Sequence, residues 1–332
     1  MNPFSALRDG IGRVNRAPVI LFSVWTLTWL VSLPLSIALN GMLEQHLGSS
    51  LVAETAASGV NSDWIQEFAD QATGPAVTLT PAILGFGAAM DNLSAFADHT
   101  ARPAAIVGAG AAYAVIWMLI AGGIIDRYAR DRATRAHGFS AASGVFFLRF
   151  LRLAVVQWIV YAILFGVVHP WLFGSAYAQL TRNVSVERTA FLVRAACYGV
   201  FGIFVAACMM VFDYAKVRAV VEDRRSMLGA LTASARFIRH NFGGASLLFV
   251  ENVTVFAIVV AIYALVAPGA GRSSTMTWLG FALSQVFILA RLGVKLTFWA
   301  SETALFQGRL AHAGYVARPV AMWPESPAAE RI

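Results

Sequence analysis

The sequence predicts an all-α, polytopic membrane protein with six transmembrane helices, interfacial amphipathic helices and three parallel hairpin repeats. Three observations lead there. Hydrophobic residues make up 58% of the 332 residues and charged ones 13%, with a mean hydropathy of +0.65. Soluble domains run about half apolar and roughly a quarter charged. Apolar runs of about 20 residues, the length that crosses a bilayer, recur six times. The basic residues gather in every second gap between those runs.

Segment 1–18, "MNPFSALRDGIGRVNRAP", is a basic amphipathic stretch ahead of the first span, 19–39. That apolar run exceeds a signal-peptide core of about 7–15 residues, so it is expected to be a retained helix. Segment 40–102 is an acidic external loop whose first sixty residues hold Glu44, Glu54, Asp63, Glu67, Asp70, Asp91 and Asp98 and no Lys or Arg. Within it "NSDWIQEFADQ" reads as a short amphipathic helix capped by Asn61 or Ser62, with Trp64, Ile65 and Phe68 on one face. Gly74-Pro75 and Pro81 then break the chain, and "PAILGFGAAM" is too short to span.

The further spans are 103–125, 153–173, 191–212, 245–267 and 276–296. Small residues at Ala101, Ala105, Gly108, Ala109 and Ala112 make a close-packing face on the second. Cytoplasmic basic helices fill 126–152 and 213–244, external loops fill 174–190 and 268–275, and 297–332 forms a cytoplasmic tail. Arg8, Arg13 and Arg16 precede span one, and Arg127, Arg130, Arg132, Arg135, Arg149 and Arg152 lie between spans two and three. Lys216, Arg218, Arg224, Arg225, Arg236 and Arg239 lie between spans four and five. The two short opposite loops hold only Arg182 and Arg188 in one and Arg272 in the other. This asymmetry puts both termini in the cytoplasm of a bacterial-type inner membrane. The net charge of +7 therefore follows membrane topology, and no nucleic-acid partner is expected. Cys197 and Cys208, eleven residues apart in one run, stand about 16 Å apart along a helix and cannot pair.

The repeat rests on spacing. Asp126 to Arg149 and Asp213 to Arg236 both span 23 residues. Each acid ends an apolar run, and each arginine opens an Arg-Phe-aliphatic-Arg cluster, "RFLR" or "RFIR", before the next run. Arg13-Val14-Asn15-Arg16 is a fainter third copy. The helix opened by Ser226 is expected to bury Leu228, Leu231, Ala235 and Ile238 while its arginines reach head groups. Arg149, Arg152, Arg236 and Arg239 are thus candidate lipid head-group contacts.

"SARFIRHNFGGASLLF", Ser234 to Phe249, resembles the Ser-x-x-x-x-x-x-Asn-plus-apolar motif of the six-span membrane-domain superfamily of bacterial glycerophosphodiester phosphodiesterases and related inner-membrane proteins. The resemblance implies a fold. It carries no activity across, since this chain holds no counterpart of the soluble phosphodiesterase barrel that some relatives carry.

Ionisable groups inside a membrane are the default functional candidates. The candidate polar cluster is Glu251 and Asn252 on span five with Ser284, Arg291 and Lys295 on span six. Glu251 is expected to meet Arg291. Ser284, Arg291, Lys295 and Glu302 recur at steps of seven, four and seven, one face of a helix. That stripe is either a snorkelling row with one ion pair or the lining of a polar cavity. Gln157 and Gln285 are weaker additions, and Arg194 is expected at the outer head groups. His169-Pro170-Trp171 is expected to end span three at the interface, and His46 and His99 flank the acidic loop without a metal-ligand pattern. No nucleophile elbow, phosphate-cradling glycine loop or Cys-x-x-Cys is present. The expectation is a scaffold, assembly factor or lipid-associated envelope component, not an enzyme and without cofactor or metal. Its expected partners are membrane lipids and a protein at the acidic loop. The alternative is a small-solute, anion-selecting transporter or channel using the polar stripe on span six. A membrane-impermeant maleimide added to intact cells will modify a Glu67→Cys variant and spare an Arg224→Cys variant. The reverse pattern would invert the topology.

Overall fold

A computed structural model describes residues 1–48, 50–58, 61–80, 85–267 and 274–310. The expected break at Pro81, Arg272 with the loop around it, and the tail beyond Leu310 lie outside the described residues. Among the described residues every regular element is helical. Six helices are long and apolar enough to cross a membrane: Pro18–Leu47, Ala104–Arg130, Ala136–Thr181, Glu187–Val221, Phe242–Val266 and Thr275–Arg309.

The chain opens with α1 (Pro3–Asn15), whose first turn is capped by Asn2 Oδ1 accepting from Ser5 N at 2.7 Å. Pro18 starts α2 (Pro18–Leu47) after a break at Arg16–Ala17. The acidic segment folds into α3 (Ala53–Ser58), α4 (Ser62–Gln71), a 3-10 turn (Gly74–Thr78) and α5 (Gly85–Ala97). Asn61 caps α4 as expected, accepting from Trp64 N at 3.0 Å. The long helices α6 (Ala104–Arg130) and α7 (Ala136–Ile163) follow. Beyond them come α8 (Tyr177–Thr181), α9 (Glu187–Val221), α10 (Met227–His240), α11 (Phe242–Val266) and α12 (Ser274–Arg309).

Three expectations change. The basic helix before span three is not separate: α7 runs from Ala136 without a break through Arg149 and Arg152 into the apolar run. The joints before α2 and α11 contain Pro18 and Asn241, whereas "RFLRLAVVQ" contains no Pro, Gly or Asn to interrupt a helix. Nor does Pro170 end its helix. Wider π turns at Leu164–Val168 and Trp171–Ala176 flank it, and the helical path continues through α8. A π turn moves the backbone partners by one residue, which accommodates the donor that proline lacks. Finally, α12 continues past residue 296 to Arg309, where a tail was expected.

That extension is the centre of the molecule. Leu296, Ala300, Ser301, Thr303, Leu305 and Phe306 are all 0% exposed. Its hydroxyls hide by bonding to their own helix: Thr303 Oγ1 donates to Trp299 O at 2.6 Å and Thr297 Oγ1 to Gly293 O at 2.9 Å. The main core gathers α1, α6, the first part of α7, the ends of α9 and α10, and this part of α12 at the arginine-rich end of the bundle. A second, smaller core joins α7 and α9 near the other end through Leu164, Leu172, Cys197, Phe201 and Val205.

The basic end is also tied by polar bonds. Arg13 Nη1 donates to Tyr128 O at 2.7 Å and to Gln307 Oε1 at 3.0 Å, and Gln307 Nε2 donates to Ala129 O at 3.0 Å. Two left-handed aspartates close turns after long helices, Asp131 (φ 45) and Asp223 (φ 48). Each accepts an arginine from the preceding basic helix: Arg16 to Asp131 at 2.9 Å and Arg149 to Asp223 at 2.6 Å.

The α1–α12 crossing depends on a glycine. A Cβ on Gly10 would lie 2.7 Å from both Cβ and backbone N of Ser301. Gly10→Val is expected to destabilise the protein by about 1–3 kcal/mol, the usual range for overpacking. Gly138→Ala, where a Cβ meets nothing within 4 Å, is expected to be neutral or slightly stabilising. Thermal unfolding of both variants in detergent checks this.

Candidate functional site

Asn252, rather than Glu251, is the residue of α11 that faces α12. It is 1% exposed, and its Nδ2 donates to Leu248 O and to Ser301 Oγ, both at 3.0 Å. One residue is about 100° of helix, so Glu251 turns away from that contact. Its Oε2 is buried with no hydrogen-bond partner. Ser301 lies ten residues beyond Arg291, about 15 Å along the axis. The expected Glu251–Arg291 contact therefore does not form, for reasons of register and facing.

The stripe Ser284, Arg291, Lys295, Glu302 is divided by its surroundings. Ser284 Oγ is 3.0 Å from Tyr263 OH, and Tyr263 stacks on Phe287 with centroids 4.1 Å apart. Gln285 Oε1 accepts from Trp29 Nε1 at 2.9 Å and Trp25 Nε1 at 3.2 Å. Glu302 is sealed in the main core at 3% exposure, and its Oε2 has no hydrogen-bond partner. Arg291 and Lys295 are exposed, although Leu292, Leu296 and Trp299 beside them are buried. Arg291 and Lys295 thus stand on the open face of α12, which side chains of α6 and α9 border as a shallow recess.

The walls of this recess come from three helices. Lys295 Nζ stands 4.1 Å over the Trp117 ring of α6. Trp117 meets Trp299 edge to face at 5.4 Å. On α9, Asp213 Oδ1 accepts from Lys216 Nζ at 2.8 Å and from Trp299 Nε1 at 3.2 Å. Asp213 is thus occupied by Lys216. Arg291 and Lys295 have no carboxylate at ion-pair distance among the described residues. The recess carries more positive than negative charge, with an aromatic floor. Such a site attracts anions. Trp117, Asp213, Lys216 and Trp299 were not legible as one group. The only sequence signal was that Asp213 ends an apolar run.

The arginine clusters also separate. Arg149 is held by protein partners: besides Asp223 it donates to Arg224 O at 3.3 Å and stands 5.0 Å over Phe146. Arg152, Arg236 and Arg239 are exposed. An open groove of about 320 Å³ lies among Thr232, Ala235, Arg236, Arg239 and His240. The buried face of α10 is Met227, Ala230, Ser234, Phe237 and Ile238. Leu228, at 62% exposure, and Ala235 point outward instead. The helix packs on α9, with Ser234 Oγ donating to Val211 O at 2.9 Å, so protein contact decides its rotation.

At the other end, Asp98 follows α5 and accepts the Tyr198 hydroxyl of α9 and Ser94 Oγ. The Tyr198 bond, with help from Ser94, holds the Asp98 carboxyl below its usual value against the opposing effect of burial. His169 Nε2 lies 2.9 Å from Ala97 O. Arg194 stacks over Tyr177 at 5.9 Å, and Trp171 is 60% exposed, as an interfacial ring would be. Together these contacts dock α5 on the second core. Among the described residues no three His, Cys, Asp or Glu side chains are grouped to hold a metal.

Glu302 yields the sharpest stability test. Its carboxyl oxygen Oε2 and the Tyr214 hydroxyl are both buried without partners, and an unsatisfied buried polar group costs about 1–3 kcal/mol. Glu302→Met is expected to raise the unfolding temperature in detergent. A marked fall would mean that the carboxyl is bonded in the folded protein.

No family model matches this chain, and no curated protein or solved structure matches it.

Proposed function

We propose that the chain is a non-catalytic, lipid-associated scaffold of a bacterial-type inner membrane, with both termini cytoplasmic. The observation that carries this reading is the construction of the basic end. There α1 packs on α12, the start of α7 on α6, and α10 on α9. The same pairing occurs three times, and each basic helix lies against the end of a long apolar one. The bonds Arg16–Asp131 and Arg149–Asp223 follow the same rule. They support a three-unit repeat whose first basic helix closes on the last span.

The Arg-Phe-aliphatic-Arg cluster then serves two purposes. Part of it clamps the next turn, as Arg149 does. The remainder, Arg152, Arg236 and Arg239, is free for phosphate head groups. The Ser-to-Asn motif supports membership of the six-span superfamily on similar grounds. Ser234 fastens α10 to α9, and Asn241 joins α10 to α11. The acidic segment on the opposite face is the proposed surface for a protein partner.

Anion transport is the weaker reading. A path across the bilayer needs polar groups free to meet a solute along its length. Farther out on α12, Ser284 is held by Tyr263, and Gln285 by Trp25 and Trp29. Proteoliposomes containing the protein and a halide-sensitive dye are expected to take up chloride no faster than empty vesicles. Uptake that falls with Arg291→Gln would overturn the scaffold reading in favour of transport.

A further inference from the structure

We infer that the recess between α6, α9 and α12 binds the head group of one anionic phospholipid, admitted sideways from the leaflet at the basic end. The inference rests on the lipid-associated reading above and names a site and a ligand class for it.

Charge is the first support. Lys216, Arg291 and Lys295 gather near one largely buried acid, Asp213, which already accepts from Lys216 and Trp299. The surplus falls on Arg291 and Lys295. These lie one turn apart on α12 and offer a planar fork beside a point charge. A guanidinium binds a phosphate through two parallel N–H bonds, and an ammonium beside it takes a third oxygen.

Depth is the second. Lys295 follows Met276, the first residue of the apolar run, by 19 positions. At about 1.5 Å per residue that is about 29 Å, close to the roughly 30 Å thickness of the hydrocarbon layer. The ammonium therefore stands where lipid phosphates lie, and Asp213 stands at the same boundary at the end of its own apolar run. A soluble anion would have no reason to need what lies beyond.

What lies beyond is the third support. Steps of three and four from Trp117, Asp213 and Arg291 reach Tyr113 and Gly110 on α6, Met209 and Ala206 on α9, and Ile288 on α12. None of these five is buried. The faces that carry the charges thus continue toward the bilayer centre as a partly open apolar track, with Tyr113 and Ile288 resting on the main core, which suits an acyl chain. The Trp117 ring beneath Lys295 closes the inner wall. Glu302 is sealed behind it and does not compete for the cations.

The test uses the full chain, purified in a neutral detergent. Phosphatidylglycerol, phosphatidylcholine or inorganic phosphate is added in turn, with unfolding temperature and native mass spectrometry as readouts. Phosphatidylglycerol is expected to raise the unfolding temperature and to remain bound as a single copy, whereas the other two do neither. Arg291→Gln/Lys295→Gln is expected to weaken that binding by about tenfold or more, the loss expected for a charge-assisted contact. Arg182→Gln/Arg188→Gln, two exposed arginines at the opposite end of the bundle, is expected to preserve it. Should the first double variant fail to fold, Lys295→Met, which keeps the apolar stem, is expected to show the weakening by itself. Undiminished phosphatidylglycerol binding in the folded variant would overturn the site and leave the lipid-associated reading standing. Equal stabilisation by inorganic phosphate would overturn the lipid as source. Indifference of the wild-type protein to phosphatidylglycerol would overturn both proposals.

Discussion

The close crossing of α1 and α12 is the contact on which the rest of the structure depends. Gly10 has no side chain to separate the backbones, so the last turns of α12 are drawn into the interior. Once there, they become the shared surface for α6, α9, α10 and α11. The polar residues on this stretch would ordinarily forbid burial, because an unpaired hydroxyl or amide costs free energy away from water. Self-bonding by Thr297 and Thr303, and the shared bond of Ser301 with Asn252, remove most of that cost. A long apolar helix without these features would have ended at the interface.

This packing also explains why the two ends of the bundle differ. Lipid offers apolar side chains as good a surrounding as other helices do, so burial supplies little force for association in the hydrocarbon layer. At the basic end the helices emerge toward water, and there the hydrophobic effect, side-chain bonds and ion pairs all favour contact. The main core forms at that level. The halves of α6, α11 and α12 away from the basic end contribute few buried residues and leave their apolar side chains open. The recess sits at the boundary between these regimes, where a charged side chain can remain accessible while its neighbours are enclosed.

Several elements were legible because their signals are local. The Asn61 cap is a contact between residues three apart, and the six apolar helices follow from length and hydropathy. Other elements depended on neighbours. The amphipathic pattern of α10 allowed two facings, and Ser234 bonding to Val211 selected the one that leaves Leu228 outside. Glu251 and Arg291 shared a plausible depth, but the register of α11 on α12 is set by Asn252 and Ser301. Arg149 and Arg152 are alike in sequence, and only the turn at Asp223 distinguishes them.

By itself, the sequence determined the helical class, the apolar segments and the alternation of arginine-rich and arginine-poor connections, because these follow from composition and spacing along one chain. The tertiary structure decided which charges are enclosed, which are paired and which remain open. That decision needs the rotation and register of separate helices, which are fixed by contacts between residues up to hundreds of positions apart, such as Arg13 with Gln307. The recess made by Trp117, Asp213 and Lys295 exists only once three such helices meet.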